Sequence, residues 1–161
     1  MFQALFPGTF DPPTNGHLNL IQRASSILDK LIVVISYNPH KKCLFTPEER
    51  CDFIKEMTKD HPNVEVVIWD KLIVDYAESR NIRLILRGVR VFTDFGYEFE
   101  LSMVNKGLKP GIETFFVPTD PQYFVLRSSA IKELVQLGTN VSHMVPPMVE
   151  KALKERLGPK S

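Results

Sequence analysis

Residues 7–17 combine side chains and backbone features that suit the binding of phosphate. The segment reads PGTFDPPTNGH, and its glycines at 8 and 16 allow the backbone to approach a ligand closely. A helix is predicted to begin near His17, and a helix N-terminus offers unpaired N–H groups and partial positive charge to an anion. The His17 ring can donate from Nε2 to a phosphate oxygen, and Thr9 adds a hydroxyl. The segment therefore predicts a site for a phosphate-bearing ligand.

Three further groups of residues could serve the same ligand. A lysine pair occupies 41–42, the tetrapeptide RGVR occupies 87–90, and Ser128 and Ser129 precede a predicted helix. Arginine binds phosphate oxygens bidentately and stays charged, while Gly88 can let the backbone come close to a ligand. Serines at a helix start can cap the helix and bind phosphate. Taken alone, the lysine pair is more often solvated surface, and the tetrapeptide is more often two surface arginines beside a turn.

The elements that must position these groups alternate between strand and helix. Predicted strands occupy 1–6, 31–35, 64–68, 83–86 and 113–117. Predicted helices start at 17, run over 46–59, 72–79, 93–108 and 128–137, and resume after Pro146-Pro147. Such alternation predicts an α/β fold with a doubly wound parallel sheet of five strands. Ligands bind beyond the carboxyl ends of such strands, where the loops singled out above are expected to meet.

Composition sets the class of protein and excludes others. The 161 residues suit one domain over 1–161, and 43% hydrophobic and 24% charged residues are typical of a soluble globular protein. A net charge of +1 provides no overall field for nucleic acid or a membrane. Cys43 and Cys51 form no metal or disulfide pattern and are expected to be reduced thiols. Residues 1–13 lack the pattern of a signal peptide, so a cytoplasmic location is expected.

The motifs together resemble a known family. TNGH at 14–17 resembles the TxGH signature of the nucleotidyltransferase superfamily, whose fold is Rossmann-like. The longer string at 7–17, together with KK and FTPEER, RGVR and DFGYE, and the serine pair before a helix, resembles the bacterial phosphopantetheine adenylyltransferase family. The likeness covers about residues 2–153.

The resemblance implies an enzyme that transfers the adenylyl group of ATP to 4′-phosphopantetheine. The products would be dephospho-coenzyme A and pyrophosphate, formed by direct in-line displacement in coenzyme A biosynthesis. The acceptor phosphate is already ionised at neutral pH, so positioning and electrostatics would carry the catalysis without a general base. Magnesium is expected as the counter-ion of ATP, with no protein ligands of its own. The resemblance also implies a homohexamer and feedback binding of coenzyme A.

The resemblance further assigns roles to individual residues. The catalytic group would be His17, Lys41, Thr9 and Arg90, and the acceptor would be bound by Thr9, Lys41, Ile73 and Arg87. The nucleotide would be bound by Thr9, Phe10, His17, Gly88, Val89, Arg90, Glu98, Tyr123, Phe124, Val125, Leu126, Arg127, Ser128 and Ser129.

Four positions depart from the family pattern. Phe6 replaces a tyrosine, Lys71 a commonly acidic residue, Gly96 the commoner glutamate, and Arg127 the first serine of a serine string. Gly96 lies two residues before Glu98, and Arg127 is itself one of the residues expected to bind the nucleotide; its side chain could add a phosphate contact or point to solvent. Ile73 can equally be a core residue.

Three alternatives stay open at this stage. A sister enzyme, such as a cytidylyltransferase or a nicotinamide-mononucleotide adenylyltransferase, would use another acceptor with the same TxGH or HxGH chemistry. A regulatory nucleotide-binding module would bind ATP without releasing pyrophosphate. A nucleic-acid-binding protein is disfavoured by the near-neutral charge and by the lack of a recognisable binding motif.

Overall fold

A five-stranded parallel sheet forms the centre of the molecule. The computed structural model describes residues 1–36 and 42–159. In sheet order β3-β2-β1-β4-β5 every neighbouring pair is parallel, which confirms the predicted doubly wound sheet. The strands are β1 Gln3–Gly8, β2 Lys30–Ser36, β3 Val64–Trp69, β4 Leu84–Val89 and β5 Glu113–Pro118.

Six helices connect and flank these strands within the described residues. Their bounds are α1 Asn15–Ser25, α2 Pro47–Met57, α3 Ile73–Ser79, α4 Phe92–Leu108, α5 Ser128–Gln136 and α6 Pro147–Leu157, with a 3₁₀ turn at Pro121–Tyr123. The sequence TPEE at 46–49 is typical of a capping box, and the structure contains one: the Thr46 side chain accepts from the Glu49 N–H and the Glu49 carboxylate accepts from the Thr46 N–H. Gly138 has a φ of 76° just after α5, where the helix was predicted to stop.

The inner strands β1 and β2 bury both faces, as a parallel sheet covered by helices requires, whereas the edge strands β3 and β5 are only partly buried. Successive side chains of β1 belong to two different apolar clusters, one on each face of the sheet. Ala4 and Phe6 pack with α1 and α2, and Leu5 packs with α3. A third apolar cluster joins α5 and α6 to Phe45, which precedes α2, and to Phe53 in the middle of α2. This cluster attaches the C-terminal helices beside the carboxyl ends of the strands.

The sheet opens between β1 and β4, where the strand order changes direction. The two strands share one paired position, Leu5 with Ile85, whereas β1 pairs with β2 along its whole length. Pro7 has no N–H with which to extend the β1–β4 ladder, and its carbonyl accepts instead from Arg87 Nη1 at 2.7 Å. Open doubly wound sheets bind ligands at such a point.

Two predicted boundaries were wrong in ways that concern the site. Strand β4 continues to Val89, so Arg87 and Gly88 lie within the strand and not in the loop after it. The N-cap of α5 is Arg127, and no side chain caps this helix. Ser128 and Ser129 therefore occupy the first turn, and Ser128 Oγ donates to the Pro12 carbonyl at 2.8 Å.

Candidate active site

A cavity of about 670 Å³ lies at the carboxyl ends of β1 and β4. It is lined by the loop between β1 and α1, the end of β4, the start of α4 and the start of α5. Of the residues predicted from sequence, the lining includes Thr9, Phe10, His17, Arg87, Gly88, Arg90, Glu98, Tyr123, Leu126, Arg127, Ser128 and Ser129.

Four predicted residues that the structure describes are not part of this lining. Ile73 packs against the apolar cluster under α3, which agrees with its alternative interpretation as a core residue. Val89 belongs to β4, and Phe124 and Val125 are exposed beside the cavity without lining it. Lys41 lies outside the described residues, while its neighbour Lys42 lines the cavity.

His17 is held by the N-terminal cap of α1. The Thr14 backbone N–H donates to His17 Nδ1 at 3.0 Å, and Thr14 Oγ1 accepts from the His17 backbone N–H at 3.3 Å. This is a capping box in which histidine takes the place of the usual glutamate or glutamine. A backbone N–H can only donate, so Nδ1 must accept, and the neutral ring carries its proton on Nε2. The cap therefore leaves Nε2–H as the donor that His17 can offer to a ligand.

The surroundings of His17 keep the ring uncharged. Burial first, and the positive charge of Arg90 second, lower the pKa of His17 from 6.5 to about 4. At neutral pH the ring is therefore a neutral hydrogen-bond donor and not a proton acceptor.

Phe10 fixes the position of the ring from the other side. Its ring lies 4.9 Å from the His17 ring, centroid to centroid, at an interplanar angle of 70°. Phe10 has a φ of 52°, in the left-handed region that a phenylalanine rarely adopts. Its ring also fills the space above Gly8, where an added Cβ would lie 2.7 Å from the Phe10 Cζ. A side chain at position 8 would therefore displace the Phe10 ring.

Arg87 and Glu98 form a bidentate ion pair across the cavity wall. Arg87 Nε and Nη2 each donate to one oxygen of the Glu98 carboxylate at 2.6 Å. Both side chains are half-buried, being 24% and 14% exposed. A phosphate that binds the Arg87 fork must compete with this carboxylate, because both present oxygens to the same N–H groups.

Arg90 is oriented in a similar way by the start of α4. Its Nε donates to Asp94 Oδ2 at 2.9 Å, and its Nη1 donates to the Leu126 carbonyl at 2.7 Å. The guanidinium thus links the end of β4 to the segment before α5. This arrangement places a fixed positive charge beside His17.

Charge in the cavity favours an anionic ligand. Among the described residues that line it, Lys42, Arg87, Arg90, Arg127 and Lys132 are cationic, against the carboxylates of Asp11, Asp94 and Glu98. The N-terminal turns of α1 and α5 also reach the cavity, and each contributes partial positive charge.

Sequence reasoning missed three charged residues that shape the site. Asp11, Arg50 and Lys132 connect the loop after β1 to α2 and to α5. For Asp11, burial raises the pKa, but N–H donation from Leu44 and Phe45 and the ammonium of Lys132 more than offset this, so the pKa is lowered. Asp11 and Arg50 stood within the motif strings, but nothing in their spacing indicated that they would meet the same two loops.

No metal centre or membrane span is found in the described parts of the chain. Within 1–36 and 42–159, no group of three His, Cys, Asp or Glu side chains is arranged to hold a metal ion. Over the same ranges, no helix combines the length and apolar character needed for crossing a bilayer.

This fold and site define a nucleotidyltransferase. A family model described as cytidylyltransferase-like matches residues 5–134. The fold is similar to that of a crystal structure from Vibrio parahaemolyticus, provisionally named nicotinate-nucleotide adenylyltransferase, with a TM-score of 0.67 and 20% identity. That similarity covers 95% of this chain and 99% of the other.

Closer relatives specify the family. The chain is 46% identical to the phosphopantetheine adenylyltransferase of Caldanaerobacter subterraneus subsp. tengcongensis over 95% of its length and 96% of that protein. It is also 46% identical to the protein of the same name from Streptomyces coelicolor, over 98% of each chain. The chain belongs to the phosphopantetheine adenylyltransferase family.

Proposed function

We propose that this protein transfers the adenylyl group of ATP to 4′-phosphopantetheine by direct in-line displacement. The acceptor phosphate attacks the α-phosphorus, the bond to the β-phosphate oxygen breaks, and dephospho-coenzyme A and pyrophosphate form. The observation that carries the proposal is His17, a neutral ring with Nε2–H as its donor, held at a helix N-terminus in a cation-rich cavity. Such a group stabilises developing charge on a phosphate without taking a proton.

The remaining roles follow from position in the cavity. Thr9 lies on the loop after β1 and would orient the acceptor phosphate together with Lys41, which is carried over from the family resemblance. Arg87 would bind that phosphate in exchange for Glu98. Arg90 and the first turn of α5, with Ser128 and Ser129, would stabilise the leaving pyrophosphate.

Magnesium enters this proposal as the counter-ion of ATP. Each carboxylate that lines the cavity within the described residues is already engaged by a cation: Asp11 by Lys132, Asp94 by Arg90 and Glu98 by Arg87. The ion would therefore be held by phosphate oxygens and water. The magnesium ion would neutralise part of the phosphate charge, while the side chains of the cavity would orient the phosphates.

The test is release of pyrophosphate from ATP and magnesium, with and without 4′-phosphopantetheine. Release that requires the acceptor, with dephospho-coenzyme A as the matched product, supports the proposal. Nicotinamide mononucleotide, nicotinate mononucleotide and CTP serve as controls for the sister activities. Binding of ATP without acceptor-dependent release would overturn the proposal and favour a regulatory module.

Feedback binding of coenzyme A is a second part of the proposal. Coenzyme A carries the pantetheine and adenosine groups of the two substrates, and a cavity of about 670 Å³ lies in the range of ligand pockets. Coenzyme A should then compete with 4′-phosphopantetheine in the pyrophosphate assay. Inhibition that a saturating acceptor does not relieve would contradict a shared site.

Self-association is supported by the exposed face of α4 and the neighbouring edge strand. Large apolar side chains are exposed there, namely Phe92, Tyr97, Phe99, Met103, Val104, Leu108 and Phe115. An apolar surface of this kind is typical of a protein interface, and the number six comes from the family resemblance.

Light scattering after gel filtration tests the hexamer. The wild-type protein should have six times the 18.4 kDa mass of the chain. Val104→Asp should give a smaller species, whereas Ile27→Asp, at an exposed apolar residue outside that face, should not. A wild-type monomer would overturn the hexamer.

The last part of the proposal is a cytoplasmic location. Cys43 and Cys51 are both free thiols, and a reducing compartment favours thiols over disulfides.

A further inference from the structure

Two buried charged side chains tie the loop after β1 to the segment before α2 from opposite directions. Asp11 reaches from the loop after β1, and its two oxygens accept from the N–H groups of Leu44 and Phe45 at 2.9 Å each. Arg50 reaches back from α2, and its Nη1 donates to the Thr9 carbonyl at 2.8 Å. The loop after β1 therefore supplies a carboxylate to the backbone before α2, and α2 supplies a guanidinium to the backbone of that loop.

Arg50 is an unusual residue for a position that is only 1% exposed. Its Nε donates to the carbonyls of Phe45 and Thr46 at 3.1 and 3.2 Å, and its Nη1 reaches the Ser36 carbonyl, at the end of β2, at 3.4 Å. Within the described residues, all its hydrogen bonds end on backbone carbonyls. Burying a charge costs several kcal/mol unless its donors are satisfied, so a packing role alone would be served better by an apolar residue.

Asp11 extends the same connection to α5. It is 7% exposed, and its Oδ2 lies 3.0 Å from the Lys132 ammonium. Lys132 lines the cavity on the helix that also carries Ser128 and Ser129. A single carboxylate thus joins three of the segments that surround the cavity.

We propose that Asp11 and Arg50 are positioning residues for adenylyl transfer, and we call the pair the cross-brace. The cross-brace fixes Thr9 relative to the start of α2, so that the acceptor and the α-phosphate meet in line. This inference rests on the function proposed above. Its physical basis is that a displacement of about 1 Å in a reacting group can reduce a rate about 100-fold.

Two variants weaken the cross-brace without removing a polar side chain. In Arg50→Lys the charge stays, but one ammonium cannot span the Thr9 and Phe45 carbonyls as a guanidinium does. In Asp11→Asn the single amide oxygen can accept from only one of the Leu44 and Phe45 N–H groups, and the ion pair with Lys132 is lost. In each variant we expect kcat to fall about 10- to 100-fold, with the Kd of ATP changed by less than about 3-fold.

Two further variants distinguish positioning from stability. Thr58→Val removes a buried hydroxyl from the C-terminal end of α2, where Oγ1 donates to the Ile54 carbonyl at 2.8 Å, and it leaves the cross-brace intact. It should lower Tm and leave kcat unchanged when the assay runs well below Tm. The double variant of Asp11→Asn with Arg50→Lys should lose less kcat than the product of the single effects, because both act on the same two segments.

The wild-type protein is assayed first, because failure of acceptor-dependent pyrophosphate release overturns the proposed function and the cross-brace together. If the wild type is active, a lower Tm with kcat within 2-fold of wild type in Asp11→Asn and Arg50→Lys overturns the cross-brace alone. Independent, multiplicative effects of the two variants also overturn it. If Arg50→Lys does not fold, the split between kcat and ATP binding in Asp11→Asn decides.

Discussion

His17 combines two functions that substitution can separate, namely capping α1 through Nδ1 and donating to the α-phosphate through Nε2. His17→Ala removes both. His17→Gln retains an oxygen that can accept from the Thr14 N–H, as in an ordinary capping box, and an amide N–H that can donate. The pair therefore tests whether the donor, the cap or both account for the effect of the histidine.

The expected sizes follow from the contacts. Loss of one donor to a transition-state oxyanion costs about 2.7–4 kcal/mol, or about 100- to 1,000-fold in kcat. Loss of the side-chain acceptor of the cap costs about 1 kcal/mol of stability, which corresponds to about 2–4 °C in Tm for a domain of this size. His17→Ala should show both losses, and His17→Gln should recover most of the Tm and part of kcat.

The measurements are steady-state pyrophosphate release, ATP binding by calorimetry and thermal unfolding. The Kd of ATP should change less than about 3-fold in either variant, because the donor acts mainly in the transition state. Equal losses in kcat and in ATP affinity would refute the transition-state role. Equal kcat values for His17→Ala and His17→Gln would refute the donor assignment.

Because the pKa of His17 is lowered in the folded protein, the free energy of unfolding should depend on pH. The unfolded chain binds a proton near pH 6.5 and the folded chain near pH 4, so the unfolded state holds more protons between these values. Stability is therefore full above about pH 6.5 and is lost as the pH falls towards 4, by up to about 3 kcal/mol for a shift of this size. Denaturant unfolding from pH 7 to 4 should show this loss in the wild type and a smaller one in His17→Gln. An equal loss in both would contradict the pKa assignment.

Three other substitutions give distinct outcomes. Glu98→Gln weakens the ion pair that occupies Arg87, so the KM for 4′-phosphopantetheine should fall a few-fold in acceptor titrations; a rise in the KM for ATP alone would assign Glu98 to the nucleotide instead. Thr46→Ala removes the cap of α2 and should cost about 1 kcal/mol in thermal unfolding with kcat unchanged, and an unchanged Tm would contradict the cap. Gly88→Ala places a Cβ 2.5 Å from Leu20 Cδ1 and should cost about 1–3 kcal/mol. Leu20→Val should recover part of that loss, and further destabilisation by it would refute the clash.

Several features of the fold could be predicted because local physics decides them. The sequence TPEE at 46–49 contains its own cap, proline and acidic first turn, and the structure confirms each. The run of apolar residues in β2 predicts a strand buried on both faces, and both faces are buried. The strands that pair with β2 could not be predicted, because the order of strands in the sheet depends on how helices from distant parts of the chain pack against it.

The limits of sequence reasoning are clearest at Arg87 and Arg90. Their residue type predicts phosphate binding, but their partners Glu98, Pro7, Asp94 and Leu126 depend on how strands and helices pack. The continuation of β4 through Arg87 and Gly88 was missed because glycine is a weak strand former, and the pairing with β5 overrides that preference. The prediction that a serine caps α5 was also wrong because of a long-range contact. The Ser128 hydroxyl donates to the Pro12 carbonyl and does not cap its own helix.

What the sequence determined by itself is the chemistry available at each junction: a histidine and a pair of serines at the starts of helices, and arginines at the end of a strand. Those depend on residue type and on contacts within a few positions, which local periodicity and capping rules describe. Only the tertiary structure decided the burial that lowers the pKa of His17, the contact of Arg87 with the Pro7 carbonyl, and the meeting of Asp11 with Leu44 and Lys132. The contacts of Arg87 and Asp11 join residues 33 to 121 positions apart, and a parallel sheet sets such distances through crossovers that no local pattern encodes.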